Sequence, residues 1–344
     1  MGLPDASDSR LTDLTRWVFD DLGFAGSRIE PASTDASFRR YFRVTRGVET
    51  YIVMDAPPEK ETLGPFLSVG RILLEMGLNV PMVLARDPAR GFLLLSDLGL
   101  RQYLDELTTD GAADRLYGDA LRALSTMQTA DKGMARHLPR YDRALLMREM
   151  ELMPEWFLRA HLGLQVSPAE RGMLDRLFEG LTKCALEQPA TLVHRDYHSR
   201  NLLVCVDNNP GILDFQDAVW GPVTYDLVSL LKDCYVAWPS SRVRAWALQY
   251  RERLLAAGYP LSATESEFIH WFDLVGLQRH IKVLGIFARL YYRDGKSQYL
   301  KDLPRVLRYT RDAAADYPEM AEFADFIAAR VEPEFLNAQK RTLA

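Results

Sequence analysis

The chain has 344 residues, of which 48% are hydrophobic and 26% are charged, a balance typical of a soluble globular protein long enough for two cores. A net charge of −5 provides no broad basic field, so we expect no nucleic-acid partner. The sequence shows no signal peptide, no lipidation motif and no apolar run of membrane-spanning length, so we expect a cytoplasmic protein that binds no membrane.

One helix and two strands are predicted at the start of the chain. Apolar residues at helical spacing over Leu11–Leu22 predict a helix that ends at Gly23. Alternating and β-branched residues predict strands over Phe38–Val44 and Thr50–Met54, joined near Gly47.

A second helix and two further strands follow. The spacing over Glu61–Met76 predicts a helix stopped by Gly77, and strands are predicted over Pro81–Arg86 and Gly91–Leu95 on either side of an Asp-Pro turn. Strands with one packed helix are typical of a small N-terminal lobe, which we assign to residues 1–96.

The pattern changes from strands to helices after this lobe. Ser96–Gly99 breaks the strand pattern, so we place a hinge at Leu95–Gly99. Beyond Arg101 the sequence predicts helices interrupted only by one hairpin, and residues 97–344 form the predicted C-terminal lobe. The predicted fold class is therefore α+β, with a small mixed β-sheet in the first lobe and mainly helices in the second.

The most informative stretch of the sequence lies between residues 194 and 217. Asp196 is followed five positions later by Asn201 and eighteen positions later by Asp214, which stands in an apolar run. This order is typical of an enzyme that moves the γ-phosphoryl group of ATP to a hydroxyl. A carboxylate takes or orients the acceptor proton, while an amide oxygen and a second carboxylate hold Mg²⁺.

These roles assign Asp196 as the catalytic residue and Asn201 and Asp214 as the metal ligands. Apolar stretches at 202–206 and 211–213 predict the hairpin that joins them. His194 is expected to hydrogen-bond the loop backbone, because Asp196 already fills the role of base. The alternative is a structural hairpin without chemistry, since aspartate also caps turns and helices.

The residues 194–201 and 212–215 resemble the catalytic and metal loops of the aminoglycoside phosphotransferase and choline kinase group, which are relatives of protein kinases. The resemblance implies a protein-kinase-like two-lobed fold. Gln216 stands where protein kinases have glycine, a departure that resembles the small-molecule group. Asp226 is similar to that group's helix-opening aspartate, and we expect it to act structurally, as an N-cap that braces the catalytic loop.

The nucleotide side departs from the kinase pattern. No glycine-rich loop precedes Phe38; the small residues from Ala32 to Ser37 are expected to bring backbone N–H groups and hydroxyls to the phosphates. Met54 falls where kinases place a phosphate-binding lysine, so Arg40 or Arg43 is predicted to substitute, unless magnesium and backbone donors suffice.

The hinge completes the predicted nucleotide site. Backbone groups around Ser96 and Leu98 are expected to meet the adenine edge. An ordinary turn built on Asp97 and Gly99 is the alternative reading of the same residues.

A polar set on one predicted helix, Leu277–Gly295, suggests an acceptor-binding surface. Arg279 and Lys282 lie three positions apart on this helix and would suit a carboxylate, and His280 lies between them. The alternative is a solvated charged face, and histidine alone is more often a hydrogen-bonded structural residue.

This helix, with Val53–Pro58 and Asp214–Ala218, resembles one branch of the family, the bacterial anomeric kinases of N-acetylmuramate and N-acetylglucosamine. The resemblance implies ATP-dependent phosphorylation of the C1 hydroxyl of a small-molecule sugar in cell-wall sugar recycling. Two alternatives remain open: a kinase of another small hydroxyl substrate, such as an aminoglycoside or amino alcohol, and a nucleotide-binding regulator without turnover.

Overall fold

A computed structural model describes residues 8–34, 38–129, 133, 135 and 137–343. The chain divides into two compact units, Met1–Arg101 with Leu203–Asp217, and Gln102–Leu202 with Ala218–Ala344. The sequence prediction counted residues 203–217 with the C-terminal lobe. In the structure the Val204 N–H donates to the Arg101 carbonyl at 2.7 Å, and the Ile212 N–H donates to the Asn79 carbonyl at 2.8 Å. These hydrogen bonds tie the segment to the first unit.

A five-stranded sheet forms the centre of the first unit. Its strand order is β1-β2-β3-β5-β4, and all four pairings are antiparallel, so the predicted mixed sheet is an antiparallel one. The strands are β1 (Arg28–Thr34), β2 (Arg40–Arg46), β3 (Glu49–Asp55), β4 (Val83–Asp87) and β5 (Phe92–Ser96).

The edge strand β1 is a strand that the sequence prediction missed. It contains Pro31 and a register irregularity between Pro31 and Ser33, and it lies at the edge of the sheet, where proline is tolerated. The prediction assigned Ser33 and Thr34 to a phosphate loop, whereas both pair with β2. The predicted phosphate-loop residue Ser37 lies outside the described residues.

Helix α1 (Ser9–Arg16) covers one face of this sheet and continues as a π-helical turn, Trp17–Asp21. Asp8 caps its start by accepting a hydrogen bond from the Leu11 N–H at 3.0 Å. The helix predicted at Leu11–Leu22 is thus confirmed. Its core with the sheet consists of Leu14, Trp17, Val18, Phe42, Val44, Val53, Phe92 and Leu94.

Helix α2 (Gly64–Glu75) is the other helix of the first unit. It begins three residues later than predicted, with proline in its first turn, and the chain leaves it through Gly77 at φ +77°. Its buried side chains include Phe66, Val69, Ile72 and Leu73.

The second unit is mainly helical. It also contains a strand pair that the sequence prediction missed, β6 (Ala190–Val193) with β9 (Val219–Pro222). Short strands buried on both faces show no alternation, so periodicity does not reveal them. The predicted hairpin is shorter than expected, since only β7 (Leu202–Leu203) and β8 (Gly211–Ile212) pair.

The α-helices of this unit are α3 (Tyr103–Glu106), α4 (Asp110–Thr129), α5 (Arg143–Met150), α6 (Pro168–Glu187), α7 (Tyr225–Leu231), α8 (Ser240–Ala256), α9 (Glu265–Asp294), α10 (Leu303–Ala315), α11 (Ala321–Phe326) and α12 (Glu332–Leu343). π-Helical segments occupy Met153–His161 and Ile327–Val331, and 3₁₀ turns occupy Ser297–Asp302 and Pro318–Met320.

Helix α9 is the central element of the second unit. A capping box of Thr264 and Glu267 starts it, and Gly295 ends it in the left-handed conformation. Gly285 allows close approach, because an added Cβ would lie 2.3 Å from the carbonyl carbon of Leu152. In the described part of the chain, no helix is both long and apolar enough to cross a bilayer.

Candidate active site

The predicted catalytic loop connects β6 to β7 in the second unit, and its start is a tight, strained backbone. Arg195 has φ +76°, a conformation that is costly for a side chain other than glycine. The N–H groups of His194 and Arg195 both donate to the Asp226 carboxylate, at 2.6 and 3.0 Å. The His194 Nδ1 in turn accepts from the Asp196 N–H at 3.3 Å. Asp226 and His194 therefore brace the backbone that carries Asp196.

The loop then curls back on Asp196. The Asp196 carbonyl accepts from the His198 N–H and from Asn201 Nδ2, both at 3.0 Å. The main-chain carbonyl of the catalytic residue thus orients the side chain of Asn201, a predicted metal ligand. Asp233 holds the far side of the loop, where its Oδ2 accepts from the Ser199 N–H at 3.0 Å and from the Ser199 hydroxyl. Asp233 carries no local sequence signal, and only the fold identifies it.

Asp196 lies in a field of positive charge. Its side chain is 41% exposed, and Arg279 Nη2 lies 3.9 Å from its Oδ1. Desolvation raises the pKa of Asp196, but the charges of four neighbours outweigh it and lower the pKa to about 2. These neighbours are Lys282, His198, Arg279 and Arg195. The carboxylate is therefore ionised at neutral pH.

At Asp226 burial dominates, so its pKa shifts upward rather than downward. It is fully buried in the first turn of α7, and burial raises its pKa to about 7 against the two backbone hydrogen bonds that favour the carboxylate. The N-cap position of α7 belongs to Thr224, so the expected N-cap assignment is wrong. The bracing contact comes from within the helix.

A buried ionic cluster around Glu149 lies beneath the loop. Its carboxylate accepts hydrogen bonds from Arg195 Nη2 and the Tyr141 hydroxyl, and Lys282 Nζ lies 2.9 Å from Oε1. Lys282 also donates to the Tyr225 hydroxyl at 3.1 Å. Burial raises the pKa of Glu149, but Lys282 and Arg195 outweigh it and lower the pKa. The sequence analysis missed Glu149, which is distant in sequence from the motif.

Two of the three predicted acceptor-binding residues have internal partners instead. The ammonium group of Lys282 is paired with the Glu149 carboxylate, and its side chain is 8% exposed. His280 Nε2 lies 3.0 Å from the Lys232 carbonyl, and its ring stacks on Tyr309 at 4.8 Å. Burial lowers the pKa of His280 to about 3, so it is neutral. The contacts of both residues are those of structural residues and do not support the predicted acceptor-binding role.

Arg279 is the predicted acceptor residue that reaches the catalytic loop. Its Nε donates to the Ser229 hydroxyl at 2.9 Å and its Nη1 to the Cys234 sulfur at 3.6 Å. With these contacts and Asp196 at 3.9 Å, the guanidinium is held beside the catalytic carboxylate.

In the first unit, Asp214 is positioned by its neighbours in sequence. Its backbone has φ +64°, and Gln216 Nε2 donates to its Oδ1 at 2.7 Å. Phe215 packs its ring on Phe66 at 4.9 Å, and Gly70 of α2 makes room for it, since an added Cβ would lie 3.2 Å from the ring. Helix α2 therefore anchors the strained segment that carries Asp214.

The arginines predicted to replace the missing lysine lie on opposite faces of the sheet. Tyr41 lies opposite Met54, and Arg40 lies opposite Asp55, and residues opposed in a ladder share a face. Arg40 is therefore on the face away from Met54, where it forms ion pairs with Asp8 and, at 2.6 Å, with the fully buried Asp55. This position does not support a phosphate contact for Arg40.

Arg43 lies on the same face as Met54 and reaches the hinge. Its Nε and Nη2 donate to the two Asp97 carboxylate oxygens at 2.6 and 3.1 Å, and Nη2 also reaches the Gly99 carbonyl at 3.2 Å. The Asp97 carboxylate is desolvated, but Arg43 and the Gly99 N–H lower its pKa. Arg43 is thus oriented at the edge of the predicted nucleotide site.

Several polar groups of the segment Leu95–Gly99 form hydrogen bonds within the first unit. The Ser96 hydroxyl accepts from the Met82 N–H at 2.8 Å, and the Ser96 N–H donates to the Met82 carbonyl at 2.9 Å. The Leu98 carbonyl accepts from the Cys205 thiol at 3.5 Å. The Ser96 N–H is therefore used within the sheet and does not support a contact with adenine.

The donor chemistry of the predicted metal ligands fits magnesium. Asn201 offers an amide oxygen and Asp214 a carboxylate, which are hard ligands. Within the described residues there is no group of three or more His, Cys, Asp or Glu side chains that could hold a metal. Magnesium held by one or two protein groups, phosphates and water requires no such group.

Comparisons with known proteins agree with this arrangement. The model of the phosphotransferase enzyme family matches residues 28–263. A Pseudomonas aeruginosa protein named N-acetylmuramate/N-acetylglucosamine kinase is 48% identical over 299 residues, covering 87% of each chain. A Pseudomonas putida protein of the same name is 45% identical over 332 residues, covering 93% of this chain and 96% of its own.

A solved structure shows the same fold. The GDP complex of wild-type aminoglycoside 2'-phosphotransferase-IIIa matches 90% of this chain and 100% of its own with a TM-score of 0.63 at 16% identity. The predicted protein-kinase-like α+β fold is thereby confirmed. With the family match over residues 28–263 and relatives 45% and 48% identical over most of their length, the chain belongs to the phosphotransferase enzyme family.

Proposed function

We propose that this protein transfers the γ-phosphoryl group of ATP to the anomeric hydroxyl of N-acetylmuramate and N-acetylglucosamine. The observation that carries the proposal is the 48% identity, over 87% of both chains, to a protein named as the kinase of these two sugars. Phosphorylation at C1 would feed cell-wall sugar recycling toward a nucleotide sugar, and we expect the reaction in the cytoplasm, where ATP is available.

Asp196 is the catalytic residue of this proposal. Its carboxylate accepts a hydrogen bond from the sugar hydroxyl and takes the proton late, once the bond to phosphorus is largely formed. A pKa of about 2 makes it a weak base, so its main contribution is to orient the hydroxyl in line with the phosphorus. A loose transition state requires little proton removal at the moment of transfer, which suits an ionised, firmly held carboxylate.

Asn201 and Asp214 supply the oxygen ligands for magnesium. The bound ion would neutralise charge on the nucleotide phosphates. The contributions of the chain itself are the orientation of the Asn201 amide by the Asp196 carbonyl and of the Asp214 carboxylate by Gln216. Each ligand is thus set before magnesium binds, which lowers the cost of ordering the side chains.

On the nucleotide side, Arg43 is the cation that best substitutes for a lysine at Met54. It shares a sheet face with Met54 and is oriented by Asp97. Backbone groups around Ser96 and Leu98 would provide further nucleotide contacts. On the acceptor side, Arg279 is placed to contact the sugar because it lies beside Asp196.

The test is ATP consumption with N-acetylmuramate, N-acetylglucosamine, choline and an aminoglycoside. We expect turnover with the two amino sugars, and NMR of the product should place the phosphate on C1. The Asp196→Asn variant is the negative control, and its rate with the two amino sugars should fall by roughly 10²–10⁴-fold. Turnover of choline or the aminoglycoside alone would establish the alternative kinase, and ATP binding without any turnover would establish a regulator.

A further inference from the structure

Arg200 is a cation within the catalytic loop that the mechanism above does not use. It stands between Ser199, which Asp233 holds, and Asn201. Its guanidinium carbon lies 3.6 Å over the centre of the Tyr235 ring, and the residue is half-buried. Among the residues that the structure describes, its guanidinium has neither a hydrogen-bond partner nor an ion-pair partner.

The other cations beside Asp196 differ in this respect. Arg195 and Lys282 share the Glu149 carboxylate, and Arg279 is held by Ser229 and Cys234. Each of these groups is already neutralised or hydrogen-bonded within the fold. Arg200 therefore retains the capacity of a planar guanidinium to form two parallel hydrogen bonds with a carboxylate.

Asp302 is an acidic residue whose carboxylate interacts with the charge of Arg200, and it has another partner. Arg305 Nη1 lies 3.1 Å from Asp302 Oδ1. Burial raises the pKa of Asp302, whereas the positive charges of Arg305 and Arg200 act to lower it. The ion pair of Asp302 is with Arg305, and Arg200 acts on it only through its charge. The guanidinium thus lies in a region of mixed charge but is not paired there.

The position of the Arg200 guanidinium is set in advance. Tyr235 is fixed by its N–H, which donates to Asp233 Oδ1 at 2.9 Å, while the same carboxylate holds Ser199. The His198 ring meets Tyr235 edge-on at 5.3 Å. One buried carboxylate therefore ties the stacking platform to the loop that carries Arg200. Such preorganisation lowers the entropic cost of binding an anion.

We propose that Arg200 binds the lactyl carboxylate of N-acetylmuramate, the group that N-acetylglucosamine lacks. The inference rests on the proposed function and names the residue that distinguishes its two substrates. The lactyl ether that carries this carboxylate is attached to the ring carbon C3, two carbons from the anomeric centre. Arg200 lies four residues after Asp196 in a loop curled by the Asp196 carbonyl, so the guanidinium and the catalytic carboxylate belong to one short, rigid segment.

The test compares kcat/KM for the two sugars in the wild type and in Arg200→Gln, whose planar amide is uncharged. The measured quantity is their ratio, because any general loss through the catalytic loop lowers both rates and cancels. We expect the ratio of N-acetylmuramate to N-acetylglucosamine to fall about ten- to a hundredfold, as loss of a charge-assisted hydrogen bond implies. The matched control is Arg115→Gln, an exposed arginine of α4, which should keep the wild-type ratio.

A second measurement uses the methyl ester of N-acetylmuramate. The wild type should discriminate against the ester by a similar factor, and Arg200→Gln should not. An unchanged ratio in Arg200→Gln, including equal losses for both sugars and a raised KM for ATP, overturns the proposal and indicates a phosphate or loop role. A wild type that phosphorylates neither sugar overturns the proposed function, and the inference falls with it.

Discussion

At the level of single residues, Arg40 and Arg43 share a strand but differ in what they neutralise. Arg40 pairs with Asp8 and the fully buried Asp55, and Arg43 pairs with Asp97 at the hinge. The alternation of β2 sends one arginine toward α1 and the other toward the face of Met54. A strand pattern alone shows that two such arginines point in opposite directions, but not which direction faces the nucleotide.

This difference predicts separate losses for the two alanine variants. Arg40→Ala should lower the free energy of unfolding by about 1.5–3 kcal/mol, because the buried Asp55 loses one of its two ion-pair partners among the described residues, and should leave ATP affinity unchanged. Arg43→Ala should weaken ATP binding about tenfold or more. Urea unfolding and calorimetric titration measure the two quantities, and equal ATP affinities in both variants would remove Arg43 from the nucleotide site.

At the level of elements, helix α7 is coupled to the catalytic loop through Asp226, whose pKa burial raises to about 7. The folded protein binds this proton more tightly than the unfolded chain does. The stability that the group contributes is therefore complete below its ordinary pKa of about 4 and is lost as the pH rises through about 7.

The expected result is a free energy of unfolding that falls with rising pH between these values. The contribution of Asp226 approaches about 1.4 kcal/mol per pH unit within the window. Asp226→Asn should flatten this slope, as measured by urea unfolding at a series of pH values. Equal slopes in the variant and the wild type would show that Asp226 does not titrate there.

Close packing between elements is tested at two glycines. Gly285 of α9 approaches the Leu152 backbone, so Gly285→Ala should destabilise the protein by about 1–3 kcal/mol. Gly180 of α6 has open space around it, so Gly180→Ala should stabilise by about 0.5–1 kcal/mol through helix propensity. Denaturant unfolding of the pair separates steric contact from propensity, and two stabilising substitutions would contradict the predicted contact at Gly285.

At the level of the whole molecule, nucleotide and magnesium should stabilise the folded chain together. At a concentration 100 times its Kd, Mg·ATP should raise the free energy of unfolding by about 2.7 kcal/mol, with a corresponding rise in Tm. Removal of magnesium by a chelator should abolish most of this rise, and Asp214→Ala should reduce it. Scanning calorimetry provides the measurement, and the Arg115→Gln variant should respond as the wild type does. A rise that is insensitive to magnesium would refute the metal assignment.

The local sequence was sufficient for much of the fold. Helical periodicity predicted α1, α2 and the C-terminal part of α9 from Leu277 onward, because amphipathic helices carry their burial pattern in the spacing of apolar residues. The strand β1 and the pair β6–β9 escaped prediction, since one contains proline and the others are short and buried. Their pairing depends on partners distant in the chain.

What the sequence by itself determined is the chemistry of the loop: Asp196, Asn201 and Asp214 stand in an order that few other functions require. Only the tertiary structure decided which of the candidate charged side chains have partners. Lys282 forms an ion pair with Glu149, and Arg40 forms ion pairs with Asp8 and Asp55. Arg200 instead stacks on the ring of Tyr235. The physical reason is that residue type and spacing define what a side chain can do, whereas its protonation and availability depend on the charges and burial that distant segments bring to it.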